Sequence, residues 1–492
     1  MTDGKEPNGF RTFLILWATQ SISVFGSNLT FFAVTIWITT VLFPNPEQRP
    51  QLALALSGVG LSFTIPSLVL APFAGAAADR YDRRKIMMVT DLASSVLSLT
   101  LMSLVLGGAL RFWMLSMLLV LFAVVGQFHG SAFDTSYATL VPRAQLPRAN
   151  GMMQTMWALS GVLSPAIAAT IIAIPGLARQ GAWGGAIGTA LAKMTNGAPL
   201  AMAIDVLTFW VAAMALAFLS IPSPKRTDLG GADGKARKSI WADVREGALF
   251  IWYRRPLLWL LGTFALVNFL NGFLNVLAPL LLKFRLAPDW SGRGFTFESA
   301  LALYTSVFSV GGVLGGVFIS AWGGLKRRRV LGVLVPLFVQ GAVFAVLGLS
   351  VYLYLTAAMG FLLGFFNPIT NAHSQSIWQM QTPSEKQGRV FAVRRVIAQF
   401  TLPVATVLAG VVGGFFEPSA VIAGAGLVWV VFLGLQLANP YLRRVEDKEW
   451  LEGLASAAEA KALAAGSGRT AGSGPGVGSA PGTGSKSKVT HS

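Results

Sequence analysis

Asn268, Asn271 and Asn275 recur at i, i+3 and i+7, a spacing that stacks three carboxamides on one face of a helix. An amide donates and accepts hydrogen bonds but is no nucleophile, so the stripe suits water or an uncharged ligand; hydrogen bonding between helices is the other reading. Gln20, Ser27, Asn28, Gln127, Asn367, Asn371 and Gln399 offer the same chemistry in other apolar stretches. Asp91, Asp134 and Asp205 are the acids in such stretches, where a carboxylate needs a partner, water or a proton. Asp134 stands close to His129 and is the candidate proton carrier, or else a loop residue paired with Arg143 or Arg148. Cysteine is absent and only His129, His373 and His491 are histidines, which excludes disulfides, thiol catalysis and a Cys- or His-rich metal centre. No cofactor is expected, and no G-x-x-x-x-G-K-[ST] run is present to hold a nucleotide.

These residues belong to a 492-residue chain that is 54% hydrophobic and 12% charged, about half the ~25% charge usual in soluble proteins. Twelve stretches reach the ~20 apolar residues needed to cross a ~30 Å hydrocarbon core. They are 12–43, 51–75, 86–108, 112–135, 149–176, 199–221, 256–282, 297–321, 330–350, 352–376, 390–415 and 418–440. Open strands would leave unpaired backbone groups in lipid, and the short alternating segments of a barrel are missing, so the spans are read as helices. The first is too long for a cleavable signal and is expected to remain as helix 1.

With the amino end placed in the cytoplasm, 31 of the 38 Lys and Arg fall in inner segments, and only Arg49, Arg111, Arg179, Lys193, Lys283, Arg285 and Arg293 fall outside. This bias predicts two cytoplasmic termini in a plasma-membrane protein. It also accounts for the net charge of +17, which lies along an anionic inner leaflet rather than in one groove that could follow a nucleic acid.

The chain repeats itself. Pro142 and Arg148 are matched 241 residues later by Pro383 and Arg389, and each loop leads into a long stretch broken by a proline, Pro165 or Pro403. The basic run at 82–85 is matched 244 residues later by that at 326–329. Two parallel six-helix bundles, 1–221 and 256–440, are predicted. The linker 222–255 opens with prolines and glycines. It then places Trp241, Val244, Ala248, Leu249 and Trp252 on one helical face, the pattern of a helix lying on the membrane surface, an extension of helix 7 being the alternative. The tail 441–492 is expected to be disordered, with an Ala-rich stretch able to form a helix.

Twelve helices in two parallel repeats resemble the major facilitator superfamily. The stretch GAAADRYDRRK at 75–85 is similar to that family's signature loop between helices 2 and 3, with Asp82 in place of a second glycine. The segments 10–34 and 364–395 resemble the branch holding bacterial macrolide-type efflux proteins and the enterobactin exporter. The resemblance implies a latch formed by Gly75, Asp79, Arg80, Arg83 and Arg84, which ties helix 2 to helix 11 in the outward-facing state. It implies that helices 1, 4, 7 and 10 line the substrate cavity. Asp91 and Asp205, on helices 3 and 6, would then be structural partners. The family's better-known drug:proton antiporters carry an arginine within helix 4 and more glycines in helix 5; here only Gly161 and Pro165 remain.

The function this implies is secondary transport by alternating access: a monomer in a lipid bilayer that exports a small, moderately apolar organic compound, drug-like or siderophore-like, in exchange for protons. Import or flipping of a metabolite or lipid, and a transport-inactive sensor or scaffold, are the rival readings. Enzymatic activity is not expected, because no acids or histidines cluster at membrane depth.

Overall fold

The computed structural model describes residues 9–142, 145–221 and 240–470. Among these, twelve helices are long and apolar enough to cross a membrane. They are α1 (Gly9–Leu42), α2 (Pro46–Arg80), α3 (Arg83–Leu106), α4 (Phe112–Tyr137), α5 (Arg148–Arg179), α6 (Ala198–Phe218), α7 (Arg255–Arg285), α8 (Phe297–Trp322), α9 (Arg329–Leu349), α10 (Leu353–Gln381), α11 (Lys386–Phe415) and α12 (Pro418–Ala438). Each matches one of the apolar stretches. Several run further, because a helix continues into water as long as its residues favour it, past the point where apolar composition stops.

The helices form two six-helix bundles with the same internal pairings. In the first, α2 packs on α4, α3 on α4 and α6, and α1 on α5; in the second, α8 packs on α10, α9 on α10 and α12, and α7 on α11. The second bundle is centred on bulky side chains such as Phe344, Trp378 and Trp429, each almost fully buried. Both bundles carry a π-turn near the end of their first helix, Ile38–Leu42 in α1 and Leu281–Arg285 in α7.

Glycine lets α8 and α10 touch backbone to backbone. A Cβ on Gly311 would fall 2.1 Å from the Phe361 carbonyl oxygen, and one on Gly315 would fall 2.0 Å from that of Phe365. Gly316, on the neighbouring face, has nothing within 4 Å of that position. Gly315→Ala is therefore expected to force the helices apart and cost ~1–3 kcal/mol. Gly316→Ala should change little, and thermal unfolding of the two purified variants checks the contrast.

Two segments outside the spans also take a definite form. The linker helix Ile240–Tyr253 docks on α11 through buried Gly247, Phe250 and Ile251 and leaves Val244, Ala248 and Trp252 exposed. Glu246 joins it to α11 by ion pairs to Arg389 (2.6 Å) and Lys386 (3.7 Å). In the tail, expected to be disordered apart from an Ala-rich stretch able to form a helix, helices occupy Pro440–Arg443 and Lys448–Thr470, and Leu442, Val445 and Leu451 are buried. Residues of high helix propensity with a few apolar anchors suffice to dock it. Asp447 accepts hydrogen bonds from the Trp450 amide and the Arg444 guanidinium, which together hold its carboxyl below its usual range. The linker residues 222–239 and the tail beyond 470 lie outside the described residues.

Candidate functional site: a charge-free crevice between the bundles

The bundles meet at the end of the molecule away from the basic loops. There the Lys283 ammonium of α7 donates to the backbone oxygens of Thr39 and Phe43 (2.5 Å to the latter), at the end of α1. Arg49 pairs with Glu417, and the Ser57 hydroxyl of α2 donates to the Thr406 oxygen of α11 at 2.6 Å. Near mid-span the Ser306 hydroxyl of α8 donates to the Val162 oxygen of α5 at 2.7 Å.

At the basic end, the predicted latch makes its hydrogen bonds inside its own bundle. The Arg83 guanidinium donates to the Ala78 oxygen (3.0 Å), and that of Arg84 donates to the oxygens of Leu216 (2.7 Å) and Ala217, closing the end of α6. Asp79 and Arg80 are exposed, and a Cβ on Gly75 would meet nothing within 4 Å. The basic end of α11, where the resemblance places the other half of the latch, holds the linker helix instead.

Between the bundles lies a cavity of about 390 Å³, within the range usual for drug-sized ligands. Asn28 and Phe31 of α1, Ser160 and Gly161 of α5, Asn271 and Asn275 of α7, and Tyr304 and Phe308 of α8 are on its wall. Among the described residues, none that lines it is charged. Asn28, Asn271 and Asn275 have no hydrogen-bond partner among the described residues, so their amides remain available to a guest.

A second cavity, about 700 Å³, lies inside the first bundle and shares Asn28 and Phe31 with the central one. Gln20, Gln127, Asp91, His129, Asp134 and Asp205 all reach its wall. Asp91 and Asp205, read as structural partners outside the substrate cavity, are absent from the central cavity's wall and both accept from α1, yet they line this second cavity, where α1 packs directly against α6. Gly26 permits that approach: a Cβ there would fall 2.3 Å from the Thr208 hydroxyl. Asp205 accepts hydrogen bonds from the hydroxyls of Ser98 (2.5 Å) and Ser27 (3.3 Å). His129 pairs with Asp91, its Nε2 lying 3.1 Å from Oδ1, and Asp134 is an exposed residue further along α4. Arg148, offered as a partner for Asp134, lies over the Phe10 ring at 5.3 Å, and Arg143 lies outside the described residues.

A third, smaller cavity of about 120 Å³ in the second bundle gathers Asn268, Asn271, Asn367 and Asn371. Two of these spend their amides within the protein: Asn268 donates to the Ala398 oxygen at 3.4 Å, and Asn371 donates to Asn367 Oδ1 at 2.9 Å. The stripe on α7 is thus divided between an interhelical contact at Asn268 and cavity positions at Asn271 and Asn275. The Gln399 side chain lies outside the described residues. Sequence reading missed three features: the Asp91–His129 pair, the Lys283 seal and Arg394. The Arg394 guanidinium donates to Gln375 Oε1 (2.7 Å) and the Ser374 hydroxyl (3.2 Å). Lys283 and Arg394 had been counted only as topology charges; Arg394 fell inside a predicted stretch, and the structure extends α7 to Arg285, so Lys283 too lies within a span, where a cation needs a reason.

Comparison with known proteins agrees with this architecture. The chain is similar to macrolide efflux protein A of Streptococcus pyogenes, 25% identical over 80% of this chain and 88% of that protein. It is also similar to the multidrug efflux pump Tap of Mycolicibacterium fortuitum, 28% identical over 76% of this chain and 84% of the relative. Among solved structures, a bacterial homologue of the human lysosomal transporter Spinster, inward-facing and unoccupied, superposes with a TM-score of 0.60 at 15% identity, covering 90% of this chain and 98% of that one. The sequence signature of the Major Facilitator Superfamily matches residues 16–400. Twelve helices in paired bundles around a central cavity, together with that match, make this chain a multi-pass membrane transporter belonging to the Major Facilitator Superfamily.

Proposed function

We propose that the chain exports a neutral or weakly charged, moderately apolar organic compound, drug-like or siderophore-like, across the plasma membrane by alternating access, in exchange for protons. The observation that carries this reading is the central cavity: three unpartnered asparagine amides set among aromatic side chains, with no charge on the wall. Such a surface binds an amphipathic guest through burial and a few hydrogen bonds and gives a strongly ionic one no counter-charge. The names of the two efflux relatives support the outward direction. Residues of both bundles of one chain line the cavity, as a monomer requires.

With both termini in the cytoplasm, the sealed end faces outward and the arrangement described is the inward-open one. A latch that ties α2 to α11 only in the outward-open state would then be released, which fits the exposed Asp79 and the open surroundings of Gly75. Asp79→Asn is expected to insert normally and to slow transport severalfold; transport at the wild-type rate would remove the latch from the proposal.

The direct test is a deletion strain and an overexpressing strain exposed to the same compound panel, macrolides included. Hypersensitivity of the first and resistance of the second to one compound establishes export. Identical responses of the two strains across the panel refute it.

A further inference from the structure

We propose that Asp91 and His129 act as one proton-exchange site for the transport cycle, with Gln20 as the positioning residue that connects it to the central cavity. This assignment rests on the proton-driven export proposed above and places the proton on a pair rather than on Asp134.

Geometry singles out the pair. Asp91 is 1% exposed, and its two oxygens face two other helices, one at ion-pair distance from an imidazole and one accepting a hydrogen bond. Oδ1 lies 3.1 Å from His129 Nε2 on α4, and Oδ2 accepts from the Gln20 amide on α1 at 3.3 Å. The titratable groups on the wall of the 700 Å³ cavity are Asp91 from α3, His129 and Asp134 from α4 and Asp205 from α6, with Tyr137 one turn beyond Asp134. The lining residues from α1, α2 and α5 are uncharged, and among the described residues no Lys or Arg lines the cavity. Three acids therefore share one apolar chamber with one imidazole able to offset them.

Their surroundings separate the acids. Asp205 accepts from two hydroxyls and has no titratable group in contact with it among the described residues, and Asp134 is exposed. Asp91 has a titratable partner at contact distance. One proton taken from water on one side of the membrane converts neutral imidazole plus carboxylate into imidazolium plus carboxylate. The pair then passes from a charge of −1 to zero. Release to water on the other side reverses the step, and no other reactant is needed. A charge change of this size, buried in an apolar chamber, is worth enough to bias two conformations. The proton belongs to the pair, whose two groups titrate together.

Gln20 provides the link to the substrate cavity. Its Nε2 serves the ionised carboxylate, while its Oε1 is buried with no hydrogen-bond partner among the described residues. A flipped amide would offer that oxygen to a protonated neighbour, so the same side chain can serve both charge states. Eight residues along α1, Asn28 lines both cavities. Any shift of α1 that follows the proton is thus delivered to the substrate wall.

With only three histidines in the chain, the site can be watched directly. Full-length protein labelled with ¹⁵N-histidine is titrated in detergent, with His129→Gln identifying the signal. Reconstituted vesicles measure flux of radiolabelled erythromycin, once the panel shows it is exported, against an imposed pH gradient. One unit of gradient can multiply accumulation up to about tenfold for one exchanged proton. In the wild type, the His129 signal and the transport rate should share a midpoint. In Asp91→Asn the His129 midpoint should move and the gradient dependence should vanish. Asp91→Glu should restore both. The signal of His373, which accepts from the Leu325 amide at 2.9 Å and faces Ile369 O at 2.8 Å, reports that each variant is folded. An unmoved His129 midpoint in folded Asp91→Asn, or full gradient dependence in that variant, overturns the pair. Erythromycin flux indifferent to the gradient in the wild type overturns proton-driven export itself and the role built on it.

Discussion

Lys283→Met is expected to unseal the end of the molecule away from the basic loops. The ammonium joins α7 to two backbone oxygens at the end of α1, Thr39 and Phe43. Methionine keeps the apolar stem and removes the donor. A hydrogen bond to a charged group contributes ~1.5–3 kcal/mol, so its loss shifts the balance between the two facing states by about 10- to 150-fold. The chain contains no cysteine, so a single cysteine placed at Thr35 on the central wall is the sole target for a membrane-impermeant maleimide. Labelling from outside intact cells should accelerate by that factor in Lys283→Met. Equal labelling rates with and without the lysine would show that the seal is held elsewhere. The Arg49–Glu417 pair spans the same gap but is more exposed, and removing it should have a smaller effect.

Asn271→Leu should abolish most export while leaving the protein folded. Asn271 lies on the wall of both the central cavity and the smaller one in the second bundle, and its amide has no partner within the described protein. Leucine occupies similar space and removes no internal hydrogen bond, so thermal stability should hold. A guest that had used the amide loses ~1–3 kcal/mol, or roughly 5- to 150-fold in affinity, because its polar group is left unpaired in the crevice. The overexpressing strain carrying Asn271→Leu should return to near the deletion strain's sensitivity at unchanged protein level. Asn268→Leu is the informative contrast. That side chain donates to the Ala398 oxygen, so its loss should lower stability before it lowers affinity.

The twelve spans were readable because length and hydropathy are set by the thickness of lipid, a constraint that acts on every residue of a span at once. Their ends were not. The stretch predicted to end at residue 376 continues as helix to Gln381, since residues such as Gln379 and Gln381 suit a helix in water as well as in lipid. Asn271 and Asn275 were legible as cavity residues because an unpaired amide facing lipid is costly. The Asp91–His129 pair was not, because the two residues are on different helices and meet only through the rotation of α3 against α4, which no local pattern encodes. The docked tail escaped for a similar reason: its few apolar anchors look like noise until a groove is there to receive them.

The paired π-turns carry a historical consequence. Each is an extra residue wound into a helix, and they fall at equivalent places in the two halves, 243 positions apart, close to the 241 and 244 of the other repeats. A single insertion in an ancestral half-length gene, copied when that gene doubled, needs one event where independent insertions need two. Lys283 in one bulge now grips the carbonyl of Thr39 in the other. Deleting either extra residue would swing its helix end by about 100° and part them, so descendants of this gene should keep both bulges or lose both.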